Sequence, residues 1–283
     1  MKEDTPSRTA YMVASSRAAH QLFDVPRVFA DPVALPILGP EAAAGIRATQ
    51  WRFNTLYSRY LRAFVVARSR IAEDALSEAV ARGVRQYVLL GAGLDTFAHR
   101  NPHAAVGLRV FEVDHPATQE WKRRLLSHAR LPTPESLSYV PINFETEQLA
   151  QRLRANGFRA DEPVFFAWLG VTVYLTHDAI EQTLRFVAQS TDRSGIAFDY
   201  MNSPSRPGLL QRLGLKLLLR RFAAVGEPWR TFFEPVQLHD ELTQLGFGTV
   251  QDFGADEMNA RYFNDAGTRL RTGGFGRVVL AWV

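Results

Sequence analysis

The chain of 283 residues contains no cysteine. A chain without cysteine forms no disulfide, no thiolate zinc site and no cysteine nucleophile. Its first residues lack the basic and then apolar pattern of a signal peptide, and no apolar run approaches the roughly 18 residues of a membrane span. We therefore expect a cytoplasmic protein, and we predict no metal site.

Lysine is also scarce. It occurs only at Lys2, Lys122 and Lys216, so arginine supplies nearly all of the 33 basic residues, which face 29 acidic ones. Because arginine does not deprotonate in proteins, the pI is 9.6 although the net charge is only +4. The arginines are scattered and form no basic stripe interleaved with aromatic residues, so the charge pattern does not indicate a nucleic-acid partner.

From about Gly83 onward, short apolar segments alternate with helical ones. This alternation is typical of an α/β fold, with a parallel sheet covered by helices on both faces. The seven strand candidates are 84–90, 109–113, 138–142, 164–168, 195–200, 249–253 and 276–282. The predicted helices are 58–82, 117–129, 145–156, 177–189 and 235–245. We expect one domain that contains the whole sheet.

The domain organisation follows from what surrounds this sheet. Residues 1–57 are broken by four prolines into short helical pieces, which we interpret as an N-terminal helical cover over a main domain at 58–283. Residues 203–235 are inserted between the fifth and sixth strands, and 208–222 are basic and leucine-rich. Such a helix could lie on a membrane or a partner, but one short helix binds membranes weakly. We favour a lid helix and expect no stable membrane association.

A Gly-x-Gly turn follows the first strand, at Gly91 and Gly93. Glycines here permit a tight turn and a close approach of the backbone to a ligand. The second strand ends in Asp114, 23 residues after Gly91, where a carboxylate can accept hydrogen bonds from both ribose hydroxyls. The pair indicates a nucleoside ligand, with an ordinary strand-to-helix turn as the alternative.

The same turn argues against a dinucleotide. Thr96 stands where the dinucleotide fingerprint has its third glycine, and Asp95 would place negative charge beside a diphosphate. A nucleoside with a cationic aminoacyl end and no phosphate suits the turn better. S-Adenosyl-L-methionine has this chemistry.

The sequences V-L-L-G-A-G-L-D-T at 88–96 and F-E-V-D-H-P at 111–116 resemble the leucine carboxyl methyltransferase family. The resemblance is to its bacterial branch, which includes the tetracenomycin-type polyketide O-methyltransferases. Further similar segments, spread over nearly the whole chain, are 18–20, 29–32, 68–70, 139–144, 168–176 and 261–263. The resemblance implies a class I, Rossmann-like methyltransferase fold with a seven-stranded sheet, and S-adenosyl-L-methionine as cofactor.

The resemblance also implies a set of cofactor-binding residues. Arg68 would pair with the methionine carboxylate, the two glycines would pass the aminoacyl part and Asp114 would hold the ribose. Asn143 stands where the family usually has an aspartate that accepts the adenine amino group, and Leu169 stands where many members have glutamate. The cofactor-binding set is Arg68, Gly91, Gly93, Asp114, Asn143, Phe144 and Trp168.

The type of acceptor depends on whether the chain supplies a general base. A phenol or alcohol usually needs one, most often histidine, whereas a carboxylate with a pKa near 4 is already ionised. The histidines near predicted functional positions, none of which is paired with an acid by its spacing, are His20, His115, His177 and His239. The catalytic residues are therefore unknown, and Arg17, Tyr174 and Tyr200 are the candidates for lining the substrate pocket.

These observations lead to one main interpretation and two alternatives. The main one is an S-adenosyl-L-methionine-dependent O-methyltransferase that esterifies a carboxylate of a small, natural-product-like acid. The first alternative is methylation of a hydroxyl on a small aromatic substrate. The second is a non-catalytic binding protein that keeps the fold, suggested by the departures at Asn143 and Leu169.

Overall fold

The computed structural model describes residues 7–143, 147–202, 228–264 and 267–283. Seven strands form one sheet in the order β3-β2-β1-β4-β5-β7-β6. The strands are β1 Gln86–Leu90, β2 Arg109–Asp114, β3 Leu137–Pro141, β4 Val164–Trp168, β5 Gly195–Met201, β6 Thr249–Phe253 and β7 Gly276–Trp282. The sequence prediction of a seven-stranded α/β fold is confirmed.

One strand departs from the parallel sheet that the alternation of strands and helices predicts. β7 lies between β5 and β6 and runs antiparallel to both. The other strand pairs, from β3 through β5, are parallel. The apolar pattern of a strand that is buried on both faces carries no information about its direction, so periodicity alone could not predict this reversal.

Nine α-helices lie in the described part of the chain. They are α1 Arg8–Phe23, α2 Pro40–Ala48, α3 Gln50–Phe53, α4 Leu56–Ala81, α5 Pro116–His128, α6 Leu149–Ala155, α7 His177–Ala188, α8 Pro235–Leu245 and α9 Ala255–Tyr262. Short 3-10 turns occur at Pro36–Leu38, Phe97–Arg100, Ala104–Val106 and Thr172–Tyr174. None of the helices in the described ranges is both long and apolar enough to cross a membrane.

The helices cover both faces of the sheet, as the continuous burial of β1 and β4 requires. One core cluster lies between the sheet and α4, which buries Phe64, Ile71 and Leu76. A second lies on the opposite face against α6, α7 and α8, through residues such as Leu153, Leu184 and Leu238. The carboxyl ends of β1, β2, β4 and β5 therefore meet at one edge of a sheet that is packed on both sides.

The N-terminal segment forms its own small core. α1 packs against α4, and Ala14 and Ala18 cluster with Ile37 and Ile46. A buried polar triad ties the same two helices together. Asp24, just after α1, accepts hydrogen bonds from Arg62 Nε at 2.6 Å and Arg62 Nη2 at 3.0 Å, and its Oδ2 lies 2.9 Å from His20 Nδ1.

Some sequence predictions differ from the observed elements or fall outside them. The predicted helix 145–156 begins later, at Leu149, because Glu147 reaches back to accept the backbone N–H of Asn143. Most of the predicted lid at 203–235, including the helix 208–222, lies outside the described residues.

Candidate functional site

The turn after β1 has the backbone that its glycines predict. Gly91 has φ +66° and Gly93 has φ +51°, in the left-handed region that favours glycine. A Cβ on Gly91 would lie 2.5 Å from Val171 Cγ2, in the loop after β4. A Cβ on Gly93 would lie 3.2 Å from the Cβ of Ala10 on α1. The turn therefore lies close against the loop after β4 on one side and against α1 on the other.

Asp114 lies beside this turn. Its Oδ2 accepts the backbone N–H of Gly93 at 2.5 Å, and its Oδ1 accepts the backbone N–H of His115 at 2.7 Å. Burial raises the pKa of this carboxyl above its ordinary value, although these two hydrogen bonds oppose the rise. Each carboxylate oxygen has a second lone pair, so Asp114 can still accept two hydrogen bonds from a ligand.

Arg68 lies on α4 at the same edge of the sheet. Its Nη1 donates to Asp199 Oδ2 at 2.7 Å, and both side chains are buried. Asp199, on β5, also accepts the backbone N–H of Gly170 at 2.5 Å through Oδ1. Arg68 is therefore fixed to the end of β5 and to the loop after β4.

These contacts form a continuous chain of neighbours, which we call the strand-end arc. It runs from Asp199 through Arg68 and Gly170 to Val171, then to Gly91, and ends at Gly93 and Asp114. Of the predicted cofactor residues, the arc contains Arg68, Gly91, Gly93 and Asp114.

The glycine turn is also held by contacts with α1. Arg17 on α1 donates from Nη1 to Asp95 Oδ2 at 3.1 Å and from Nη2 to the carbonyl oxygen of Leu94. Asp95 also accepts the backbone N–H of Phe97 at 2.7 Å. Although burial opposes ionisation, the cations of Arg17 and Arg100 lower the pKa of Asp95. Arg17, predicted to line the substrate pocket, is 3% exposed and clamps the glycine turn to α1.

The other predicted cofactor residues occupy different environments. Asn143 lies two residues after β3 and is half-buried, next to the arc because the backbone N–H of Ile142 donates to the carbonyl oxygen of Asp114. Phe144 lies outside the described residues. Trp168 is 2% exposed at the end of β4, and its ring packs in the core cluster on the face opposite α4.

The remaining substrate-pocket candidates also lie apart. Tyr174 ends the 3-10 turn after β4 and is half-buried, close to Val171, whose carbonyl oxygen accepts its backbone N–H. Tyr200 is 1% exposed on β5, and its hydroxyl donates to Asp252 Oδ2 at 2.7 Å. The structure does not bring Arg17, Tyr174 and Tyr200 into one cluster, because Arg17 contacts the turn after β1 whereas Tyr200 contacts β6.

Each of the four candidate histidines already uses a ring nitrogen. His20 uses both, because Nε2 accepts the backbone N–H of Phe29 while Nδ1 donates to Asp24. His115 accepts the backbone N–H of Ala117 and so caps α5. His177 Nε2 lies 3.2 Å from a Glu241 oxygen, and His239 Nε2 lies 3.2 Å from an Asp252 oxygen.

The sequence analysis missed Asp199, although it contained a signal. Asp199 follows Ile196, Ala197 and Phe198 in a strand that is buried from Gly195 through Tyr200. A carboxylate in such a strand needs a cation and hydrogen-bond donors, because an unpaired buried charge is costly. The pattern therefore predicts a buried partner but does not say that this partner is Arg68, which lies 131 residues earlier.

All of the strand-end arc except Asp199 lies within the part of the chain that resembles a known family. A model of the leucine carboxyl methyltransferase family matches residues 10–188. YktD of Bacillus subtilis (strain 168), which bears the provisional name of an S-adenosyl-L-methionine-dependent methyltransferase, is 28% identical over 288 residues, covering 94% of each chain. Franean1_4929 of Parafrankia sp. (strain EAN1pec), named provisionally in the same way, is 36% identical over 158 residues, which are 55% of this chain and 47% of that protein.

Solved structures share the fold. A DUF574 family protein from Streptomyces avermitilis MA-4680 matches 95% of this chain and 96% of its own, with a TM-score of 0.55 at 17% identity. A protein from Thermobifida fusca YX, provisionally named a methyltransferase, matches 99% of this chain and 96% of its own, with a TM-score of 0.55 at 14% identity. At these identities the likeness concerns the fold alone.

Proposed function

Because this chain belongs to the leucine carboxyl methyltransferase family, we propose that it methylates a carboxylate of a small, natural-product-like organic acid. The protein is an S-adenosyl-L-methionine-dependent methyltransferase. The non-catalytic alternative is therefore set aside. We also propose which residues hold the cofactor and the acceptor, and we propose a role in secondary metabolism.

The residues of the strand-end arc fit the chemistry of S-adenosyl-L-methionine. The cofactor carries a ribose, a carboxylate and no phosphate. Asp114 offers carboxylate lone pairs for ribose hydroxyls, and Arg68 offers a guanidinium for a carboxylate. Gly91 and Gly93 allow the left-handed backbone of the turn and its close packing against Val171 and Ala10. Asp95 places negative charge in the turn, which disfavours a diphosphate.

We assign the roles accordingly. Asp114 holds the ribose, Arg68 holds the methionine carboxylate, and the backbone at Gly91 and Gly93 lies along the aminoacyl part. Asn143, with Phe144 after it, is proposed to lie at the adenine. Trp168 is proposed to support this site from the core, since its ring is buried away from α4.

When bound, the cofactor supplies an electrophilic methyl group. The contribution of the chain is to bind and orient the two reactants, because a displacement at a sulfonium methyl depends strongly on near-attack geometry. Arg17 holds the turn in place through Asp95 and the Leu94 carbonyl. These contacts hold the residues of the site before any ligand arrives.

The observation that carries the carboxylate proposal is that no side chain of the four candidate histidines belongs to the strand-end arc. A hydroxyl acceptor needs a base beside it. His20 has both nitrogens committed, His115 caps α5, and His177 and His239 contact Glu241 and Asp252 outside the arc. A carboxylate acceptor is ionised without help and needs only orientation. The described geometry therefore favours ester formation over ether formation.

The acceptor is proposed to enter beside the N-terminal cover, whose helix α1 lies against the glycine turn through Ala10 and Gly93. Tyr174 is the proposed residue nearest to the acceptor, because its backbone N–H donates to the carbonyl oxygen of Val171, in the middle of the arc. Arg17 and Tyr200 are proposed to support this region through Asp95 and Asp252.

The test uses S-adenosyl-L-methionine labelled with ¹⁴C in its methyl group and a panel of aromatic and aliphatic acids, together with their hydroxyl analogues without a carboxylate. We expect labelled products from acids, and we expect mild base to release the label as methanol. Label that resists mild base would indicate an ether and would overturn the carboxylate assignment in favour of the hydroxyl alternative.

A further inference from the structure

We infer that Asp199 and Gly170 are positioning residues that fix the Arg68 guanidinium for the carboxylate of the cofactor. The inference rests on the proposed role of Arg68. It adds two residues to which the family resemblance assigned no function, and it gives each a separate task.

Arg68 is a cation whose side chain is only 7% exposed. Its guanidinium has five N–H donors in a planar fork, and Asp199 accepts from Nη1. Among the described residues, the other N–H groups of the Arg68 guanidinium have no hydrogen-bond acceptor. The guanidinium carbon also lies 5.6 Å from the centre of the Phe64 ring, which supports one side of it. One edge of the guanidinium is therefore held, and its remaining donors are available to a second carboxylate.

Asp199 is itself held, so it cannot rotate away from Arg68. Its Oδ1 accepts the backbone N–H of Gly170, while its Oδ2 accepts from Arg68. Its backbone carbonyl accepts the Thr172 hydroxyl at 2.6 Å. The Asp199 carboxylate therefore links β5 to the loop after β4, and it holds the Arg68 guanidinium from a fixed direction.

Gly170 provides the space that Arg68 occupies. A Cβ at this position would lie 2.8 Å from Arg68 Nη2 and 3.1 Å from Nη1. Gly170 also has φ +77°, a conformation that other residues adopt only with strain. Any side chain here would move the guanidinium from its place, because the flexible end of arginine yields more easily than the backbone.

An arginine fixed in this way binds a carboxylate at a lower entropic cost. Immobilising a long side chain on binding costs free energy, and loss of preorganisation appears directly in the affinity. If Asp199 were only a structural counter-ion, its loss would weaken every ligand of the fold equally. If it positions Arg68, its loss weakens only ligands that carry the carboxylate.

The experiment compares two ligands by calorimetric titration. S-Adenosylhomocysteine carries the aminoacyl carboxylate, whereas 5′-methylthioadenosine has the same nucleoside without it. For Asp199→Asn we expect the Kd of S-adenosylhomocysteine to rise about tenfold, and the Kd of 5′-methylthioadenosine to stay within about twofold. The ratio of the two Kd values is the readout, since a change in stability alone does not alter it.

Two further variants complete the design. Gly170→Ala removes no charge and should change the ratio in the same direction, so it decides the matter if Asp199→Asn does not fold. Asp24→Asn removes the partner of Arg62, another buried arginine on α4, and is the matched control. We expect it to leave the ratio unchanged at temperatures where circular dichroism shows a folded protein.

Equal weakening of both ligands in Asp199→Asn, or in Gly170→Ala if the former does not fold, would overturn the inference while leaving the proposed function intact. Failure of the unaltered protein to bind either ligand would instead overturn the proposed site. The two failures are therefore distinguishable.

Discussion

Gly91 and Val171 approach each other so closely that a Cβ on Gly91 would lie 2.5 Å from Val171 Cγ2. This contact joins the turn after β1 to the loop after β4. Glycine is therefore needed at position 91 for two reasons, the left-handed backbone and the lack of space beside Val171. The sequence suggested the turn and a close approach to a ligand, but not the contact with Val171.

The first prediction concerns this contact. In Gly91→Ala, the left-handed backbone costs about 1–2 kcal/mol and the overlap with Val171 about 1–3 kcal/mol. We expect the free energy of unfolding to fall by about 2–5 kcal/mol in urea titrations, because both costs fall on the folded state. Gly107→Ala is the matched control, since Gly107 has φ +81° and nothing within 4 Å of the added Cβ. A Gly91→Ala loss no larger than that of Gly107→Ala would refute the packing argument.

The second prediction concerns the triad of Asp24, His20 and Arg62. Asp24→Asn leaves the buried Arg62 cation without its charged partner, so we expect the free energy of unfolding to fall by about 3–5 kcal/mol. Urea titration at neutral pH measures this. A loss below about 1 kcal/mol would mean that the triad does not tie α1 to α4.

The same triad has a pH signature. Burial opposes ionisation of Asp24, but hydrogen bonds from His20 and Arg62 outweigh it and lower the pKa of Asp24 below 3.8. A lowered folded-state pKa contributes stability above the unfolded value, and that stability is lost as the pH falls towards the folded value. The difference in unfolding free energy between the unaltered protein and Asp24→Asn should therefore shrink as the pH is lowered below about 4. A constant difference would contradict the assignment.

The third prediction concerns the pH dependence of cofactor binding. Burial raises the pKa of Asp114 above 3.8. Asp114 must be ionised to accept hydrogen bonds from two hydroxyls. As the pH falls, it is therefore protonated, and loses its ligand, at a higher pH than an exposed aspartate would. We expect S-adenosylhomocysteine affinity to fall as the pH decreases through this raised value, by up to about tenfold per pH unit. Asp114→Asn, which does not titrate, should bind weakly and without this dependence. An equal pH dependence in both proteins would place the titrating group elsewhere.

Most of the fold could be predicted from the chain. The seven strands and α8 follow from short apolar runs and from Gly246, because apolar periodicity and glycine stops are local signals. Strand direction is not local, and the alternation that predicts a parallel sheet does not show that β7 is antiparallel. The start of α6 was also placed too early: Glu147 accepts the backbone N–H of Asn143, and the helix begins only at Leu149.

The site could be predicted only in part. Gly91, Gly93 and Asp114 lie together because motif spacing around two neighbouring parallel strands determines their positions. The partnership of Arg68 with Asp199 and Gly170 joins three segments far apart in the sequence, and a single sequence contains no signal for such a contact. Arg17 was expected to line the substrate pocket, whereas in the structure it donates to Leu94 and Asp95.

The most direct test of the account is the titration of S-adenosylhomocysteine into the unaltered protein and into Asp114→Ala at pH 7.5. Asp114 is the one residue whose carboxylate the account places against the ribose, next to the backbone of Gly93. We predict clear binding to the unaltered protein and at least about a hundredfold weaker binding to the variant, since two charge-assisted hydrogen bonds are lost. An unchanged Kd in a folded Asp114→Ala protein would contradict the account.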